Sequence, residues 1–284
     1  MIPQPFDYSA PTTIKEALGL LSADGAKALA GGMSLVPMMK LRLAAPALLV
    51  DLGRIGELKN IRESAGFLHI GATATHYDVE SSALVRGRCP LLAQAAASIG
   101  DVQVRNSGTI GGSVAHADPA ADYPAALFAL DAKVRILSAK SDRTLGIGEF
   151  LVDTFTTALE PGEIVTEVIV PVEEPGTGTA YRKMVQPASG FAIVGAAARI
   201  RRSNGSIAMA RIGITGLGGK AFRASGAEAA LEGTAGGEAE IRKAAASVAG
   251  AREAFSDLNA TAGYRKAMAA VYAARAIASA LEKH

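Results

Sequence analysis

Ala30-Gly31-Gly32-Met33-Ser34 and Gly108-Thr109-Ile110-Gly111-Gly112-Ser113 are the two stretches on which the reading of this chain turns. Each sets a diglycine between an apolar run and a segment with helical patterning. Consecutive glycines let neighbouring backbone N–H groups point into one concavity, and the missing Cβ lets that backbone approach a phosphate closely. The hydroxyls of Ser34, Thr109 and Ser113 stand beside the glycines and can add hydrogen bonds. A single diglycine is an ordinary turn signal. Two, with hydroxyls beside both, predict one elongated, multiply phosphorylated ligand gripped from two sides.

Around the first loop, Thr12 or Thr13 followed by Glu16 has the form of a capping box and predicts a helix through Leu21. Ala26 to Ala30 then reads as a short buried strand. Ser34 is expected to cap a helix from Leu35 to Leu43, with Pro37 tolerated in its first turn, and Ala47 to Leu52 reads as the next strand. Asp51 lies about twenty residues past the first glycine, where a dinucleotide fold places its ribose-binding acid. Gly31-Gly32-Met33-Ser34 is not G-x-G-x-x-G, however, so no nicotinamide fold is predicted. Asp51 reads better as a strand-end carboxylate capping the turn before Gly53.

Around the second loop the signals are mixed α and β. Phe67 to Gly71 alternates like a strand, Pro90 to Ile99 has helical spacing, and Asp122-Tyr123-Pro124 looks like the cap and first turn of a helix from Ala125 to Leu130. Strands are expected at Lys133 to Leu137 and Ile164 to Val170. Pro171 to Thr179, rich in Pro, Gly and Glu, is the best linker candidate. Beyond it come strand-like runs at Ile193 to Ile200 and Met209 to Thr215. An Ala-rich tail follows, in which Val271, Ala274, Ile277 and Leu281 recur at helical spacing. Gly213, Gly216, Gly218 and Gly219 form a third glycine cluster, read as a turn because no hydroxyl pattern accompanies it.

Composition narrows the possibilities further. At 284 residues the chain can bury sizeable cores in two or three subdomains. With 29 basic against 27 acidic side chains, scattered along the chain, it offers no electrostatic footprint for nucleic acid or an anionic membrane. Trp is absent and aromatics are sparse, so base-stacking platforms are not expected. Cys89 is the only cysteine, which excludes a disulfide framework, a thiolate-held iron–sulfur cluster and a Cys-based zinc site within the chain. His69, His76, His116 and His284 show no metal-ligand spacing, and His284 is expected to be a solvated chain end. The N-terminus lacks the basic start and apolar core of a signal peptide, and no apolar run reaches the roughly 18 residues of a membrane span. A cytoplasmic protein is expected, with no metal site.

The second loop continues into Val114-Ala115-His116-Ala117-Asp118-Pro119-Ala120-Ala121-Asp122-Tyr123-Pro124. Together with Ala30-Gly31-Gly32-Met33-Ser34-Leu35-Val36-Pro37 and Thr109-Ile110-Gly111-Gly112-Ser113, this resembles the medium, FAD-binding subunits of the molybdenum hydroxylases, the carbon monoxide dehydrogenase and xanthine dehydrogenase family. The resemblance runs from Phe6-Asp7-Tyr8 to Tyr264-Arg265-Lys266.

The resemblance implies an α+β protein. A two-lobed FAD-binding domain of the PCMH/vanillyl-alcohol-oxidase type would span residues 1–176, with lobes of about 1–56 and 57–176. The family's α+β CO-dehydrogenase-flavoprotein C-terminal domain would take residues 177–284. It implies that Leu29, Ala30, Gly31, Gly32, Met33, Ser34, Leu35 and Val36 wrap the FAD pyrophosphate and ribityl region, while Thr109, Ile110, Gly111, Gly112 and Ser113 hold the phosphates from the other side. Asp122, with Asp118 as second candidate, would meet the sugar and polyol region, and Ile99, Val165 and Lys183 would lie against adenine or flavin. Lys183 would stabilise a reduced anionic flavin; its competing reading is a solvated lysine beside Arg182 on a strand edge.

Met33 stands where several members have His, Ser113 where they have Asn, and Ser107 where a basic residue is common. The first two leave the loop's backbone donors in place, so FAD affinity would change without loss of binding, while Ser107 removes one charge partner for phosphate or a partner subunit. The implied function is oxidoreductase electron transfer without a catalytic acid or base of its own: a large molybdenum-cofactor subunit oxidises substrate, a small iron–sulfur subunit relays electrons, and FAD yields them to an external acceptor such as NAD or a quinone. A standalone FAD-dependent reductase or oxidase is the alternative and would need its own substrate pocket. A non-catalytic nucleotide-responsive or assembly module is a third reading and would bind no flavin.

Overall fold

The computed structural model describes residues 2–283; His284 lies outside them. The chain begins with β1 (Asp7–Ser9), α1 (Ile14–Leu21), β2 (Ala26–Leu29), α2 (Leu35–Lys40) and β3 (Leu48–Asp51), and the three strands form a parallel sheet in the order β1-β3-β2. Thr13 caps α1, its Oγ1 accepting from the Glu16 N–H at 3.2 Å. The Glu16 carboxylate reaches back one residue further than a standard box, to the Thr12 N–H. β2 is half-buried rather than buried, as befits an edge strand. α2 stops three residues short of the predicted end, because Arg42 turns left-handed (φ 60°) and the Leu43 N–H folds back onto the Met38 carbonyl at 2.8 Å. Ala17, Leu18, Leu21, Val50, Leu52, Ile55 and Leu58 close a small core under this sheet.

Next come β4 (Ile61–Ser64), β5 (Phe67–Gly71), α3 (His76–Ser81), α4 (Ala83–Arg88), α5 (Pro90–Ala97), α6 (Val102–Ser107), α7 (Ile110–His116) and α8 (Asp122–Ala129). They are followed by β6 (Lys133–Leu137), β7 (Asp142–Gly146), α9 (Ile147–Phe150), the short hairpin of β8 (Leu151–Asp153) and β9 (Thr156–Thr157), and β10 (Ile164–Pro171). β10 enters the centre of an antiparallel sheet of order β4-β5-β10-β6-β7. Its buried residues Val165, Val168 and Val170 pack with Leu68, Ile70, Val134, Ile136 and the buried sides of α5, α7 and α8.

The last body contains β11 (Thr177–Val185), β12 (Ala192–Ser203), β13 (Ser206–Thr215) and β14 (Phe222–Arg223) in an antiparallel sheet of that order, with α10 (Ser225–Leu231), α11 (Glu238–Ala246) and α12 (Ala262–Leu281). β12 and β13 run past their predicted ends to meet at Asn204 and Gly205, both at positive φ (51° and 80°), the conformation that suits a tight hairpin turn. β10 and β11 each take residues from the predicted linker, so the irregular connection is only residues 172–176.

The inward face of α12 is Ala269, Ala273, Ala276, Ile277, Ala280 and Leu281, while Val271 faces solvent and Ala274 is half-buried. Small residues win that face because the helix lies close on the sheet: a Cβ on Gly178 would come within 1.9 Å of the Ala280 carbonyl oxygen. On α8, the Ala125 carbonyl is approached just as closely by Gly213, so α8 is clamped between the second and third bodies. Among the described residues no helix is long and apolar enough to cross a membrane.

Candidate functional site

The first diglycine loop leaves the C-terminal end of β2 and enters α2. Gly32 is left-handed (φ 70°), and a Cβ there would stand 3.1 Å from Val36 Cγ2 and 3.4 Å from Leu29 Cδ1. The Gly32 carbonyl accepts from the Val36 N–H at 3.0 Å. Among the described residues, no hydrogen bond is donated by the backbone N–H of Gly31, Gly32, Met33 or Ser34. Ser34 occupies the cap position of α2, yet its side chain makes no capping bond. Consecutive unbonded amides around a left-handed glycine form an anion-binding nest. The loop is half-buried, with Met33 exposed, so those amides stay open to a ligand.

The second loop is built differently. Thr109 caps α7, its Oγ1 accepting from the Gly112 N–H at 3.1 Å. The Ile110 N–H bonds the Ala74 carbonyl at 3.0 Å and the Gly111 N–H bonds the Ala72 carbonyl at 2.9 Å. Ile110 is fully buried, and a Cβ on Gly111 would meet Ala72 Cβ at 2.4 Å. Both residues therefore have their N–H groups bonded within the fold, against the end of β5. Gly112 is exposed and Ser113 half-buried, and among the described residues the Ser113 hydroxyl has no hydrogen-bond partner, so that hydroxyl remains available.

The two loops meet. Gly31 lies against the end of α6, where a Cβ would come within 2.0 Å of the Ser107 carbonyl oxygen and 2.7 Å of Gly108 Cα. Ser107 Oγ donates to the Gly31 carbonyl at 2.8 Å.

Asp122 and Lys183, both expected to touch the cofactor, touch each other. Asp122 is 3% exposed, is the first residue of α8 rather than its cap, and accepts from the Tyr181 hydroxyl at 2.6 Å and from Lys183 Nζ at 3.0 Å. Lys183 Nζ also donates to the carbonyls of Ser98 and Gly190, each at 2.6 Å, so its three donors are taken. It is not a solvated lysine. Burial pushes the Asp122 carboxyl up to about 6, against the pull of Lys183 and Tyr181. Next to it, Tyr123 is fully buried with its hydroxyl 3.3 Å from His76 Nδ1, and burial pushes that imidazole down to about 4, which keeps it neutral.

Val165 is a buried core residue of the five-stranded sheet, paired with Ile136. Ile99 is half-buried, its carbonyl accepting from Arg105 Nη1 at 3.0 Å. Asp118 accepts from the Ala120 N–H at 2.8 Å and lines an open cavity of about 210 Å³ with Gln186, Ser189, Phe191, Asn259 and Arg265. Asp51 holds the Gly53 N–H at 2.8 Å and the Tyr8 hydroxyl at 2.6 Å, which matches its reading as a strand-end cap. Ser107 and Tyr181 carry roles that sequence reasoning missed. Ser107 was legible only as a departure at the edge of a motif, and nothing around Tyr181 marks it as a partner of Asp122.

Two family models cover the chain: the FAD binding domain in molybdopterin dehydrogenase matches residues 4–173, and the CO dehydrogenase flavoprotein C-terminal domain matches residues 179–280. The carbon monoxide dehydrogenase medium chain of Hydrogenophaga pseudoflava is 40% identical over 99% of this chain and 98% of the relative. The 6-hydroxypseudooxynicotine dehydrogenase complex subunit alpha of Paenarthrobacter nicotinovorans is 37% identical over 100% of this chain and 97% of its own. A solved structure of Hydrogenophaga pseudoflava carbon monoxide dehydrogenase, lacking the Mo-pyranopterin moiety of its cofactor, superposes with a TM-score of 0.96 at 42% identity, covering 99% of both chains.

Proposed function

Because the chain belongs to the family that joins the FAD binding domain in molybdopterin dehydrogenase to the CO dehydrogenase flavoprotein C-terminal domain, we propose that it is the FAD-carrying medium subunit of a multi-subunit molybdenum hydroxylase, serving electron exit from that complex. On this reading a large partner carries the molybdenum cofactor and meets the substrate, a small partner carries iron–sulfur clusters, and an external acceptor such as NAD or a quinone collects the electrons. The chain works in the cytoplasm. Residues 1–176 form the flavin domain, in lobes of about 1–56 and 57–176, and residues 177–284 the C-terminal domain.

One observation carries the reading: four successive unbonded amides, Gly31 to Ser34, around a left-handed glycine, seated where only glycine fits against the second loop. Such a nest suits the diphosphate of FAD. Bound FAD supplies the redox centre; the chain supplies grip, orientation and electrostatics. Gly31, Gly32, Met33 and Ser34 donate amides to the diphosphate, Leu29 and Val36 wall the left-handed turn, and Gly112 and the Ser113 hydroxyl approach from α7. Asp118 reaches the sugar and polyol region from beside its cavity. Asp122 and Lys183 act behind the surface, by fixing the segments around Ser98 and Gly190 through buried hydrogen bonds.

The test is purification of the chain with whatever co-purifies, followed by a visible spectrum and a cysteine and metal count on the partners. A flavin spectrum with stoichiometric FAD, and a cysteine-rich iron–sulfur partner beside a molybdenum subunit, is the expected result. A colourless chain that takes up no added FAD would refute the cofactor assignment. A flavin-loaded chain that turns over a small substrate with no partner would refute the subunit assignment.

A further inference from the structure

The loop that holds the unbonded amides is lightly tethered. Among the described residues, the only side-chain hydrogen bond to residues 30–34 comes from Ser107, whose Oγ donates to the Gly31 carbonyl at 2.8 Å. Ser107 itself stands on a firm base. Asp101 Oδ1 caps α6 through the Val104 N–H at 2.9 Å, and the Gly108 N–H closes the helix onto the Val104 carbonyl at 2.7 Å. The His76 N–H holds the Gly108 carbonyl at 2.9 Å, and Arg105 ties α6 to Ile99 and to Glu80 at 2.9 Å.

All peptide bonds among the described residues are trans, so the Gly31 carbonyl and the Gly32 N–H, which share one peptide plane, point in opposite directions. A hydroxyl that holds the carbonyl toward α6 therefore turns the Gly32 N–H away from α6. Gly31 adds a second constraint, since a Cβ there would come within 2.0 Å of the Ser107 carbonyl oxygen, which leaves no room for the loop to slide inward.

We propose that Ser107 is a positioning residue for the FAD diphosphate: by anchoring the Gly31 carbonyl it presets the Gly32 peptide, and with it the row of amides that follows, in the orientation that receives the anion. The inference rests on the assignment of FAD to this loop. Ser107 touches no phosphate itself and acts through the population of the binding-competent loop. Removing one neutral hydrogen bond lowers that population, and so raises the apparent Kd for FAD, by about two- to tenfold.

The experiment strips FAD from the purified wild-type protein, Ser107→Ala and Ser107→Thr, measures the thermal midpoint of each FAD-free form, and titrates each with FAD by flavin fluorescence. Expected is a Kd about two- to tenfold higher in Ser107→Ala, an FAD-free midpoint close to wild type, and recovery of affinity in Ser107→Thr, which keeps the hydroxyl. FAD binding by Ser107→Ala as tight as wild type overturns the proposal, and so does weaker binding with a lowered FAD-free midpoint that Ser107→Thr does not restore. If the wild type itself takes up no FAD, the cofactor assignment beneath it fails instead.

Discussion

Replacing Lys183 by Met tests whether the buried pair with Asp122 holds the fold together at this site. The Lys183 side chain is 6% exposed and that of Asp122 3%, so neither has water to fall back on. Lys183→Met keeps the aliphatic stem but deletes the donors that satisfy the carbonyls of Ser98 and Gly190 and one side of the Asp122 carboxylate, leaving that carboxylate with the Tyr181 hydroxyl alone. Breaking a buried pair from one side costs about 3–5 kcal/mol, because the remaining charge is stranded.

The pH dependence has a definite sign. Burial holds Asp122 at about 6 in the fold against an ordinary value of 3.8, so between those values the native state holds more protons than the unfolded chain and stability falls as pH rises. Without Lys183 the strongest force opposing burial is gone, the carboxyl moves further up, and the decline extends to higher pH. Urea unfolding at about pH 8 should show the full loss, and at about pH 5, where Asp122 is neutral, a smaller one. In an Asp122→Asn background, Lys183→Met should cost less than in the wild type. A penalty of equal size at both pH values and in both backgrounds would refute the stranded-charge argument.

Two further outcomes follow from the local geometry. Gly111→Ala drives a Cβ onto Ala72, backbone included, and should destabilise the fold by about 1–3 kcal/mol, whereas Gly112→Ala crowds only the Thr109 hydroxyl, at 2.8 Å, and should lower the thermal midpoint less; equal midpoints for the two variants would contradict the division of labour within the second loop. Cys89 is fully buried and burial pushes its thiol far above the ordinary range, so a thiol reagent should label the folded chain only at the rate of unfolding, and rapid labelling of native protein would show that α4 and α5 open there.

Sheet strands with strong alternation and helices with a local start signal were legible in the sequence, because both are decided by near neighbours. Thr13 and Glu16 mark the start of α1, and the runs at residues 67–71, 133–137 and 164–170 are strands in the fold. What escaped was decided by partners distant in sequence. α12 turns its alanines inward because Gly178 and its strand lie against the helix, a contact that hydrophobicity alone cannot signal, and so Val271, although it recurs with Ile277 and Leu281 at helical spacing, faces solvent. β12 ends in Arg201, Arg202 and Ser203, polar residues that look like loop until the Asn204-Gly205 turn is seen to bring them opposite β13.

The site divides along the same line. Gly31-Gly32 and Gly111-Gly112 look equivalent as text, since a sequence displays which amides exist but not which are already bonded. In the fold, Gly111 donates to Ala72 and Gly112 to Thr109, and the glycine at 111 is needed because the end of β5 presses on it. Gly31 and Gly32 donate to nothing among the described residues, and the glycine at 31 is needed because α6 presses on it. Both diglycines therefore exist for close backbone approach, but only the first leaves its donors free. The second packs α7 against the end of β5, while the segment just before it, Ser107 and Gly108 at the end of α6, makes the wall that the first leans on, which is why the Ser107 hydroxyl can reach across to the Gly31 carbonyl.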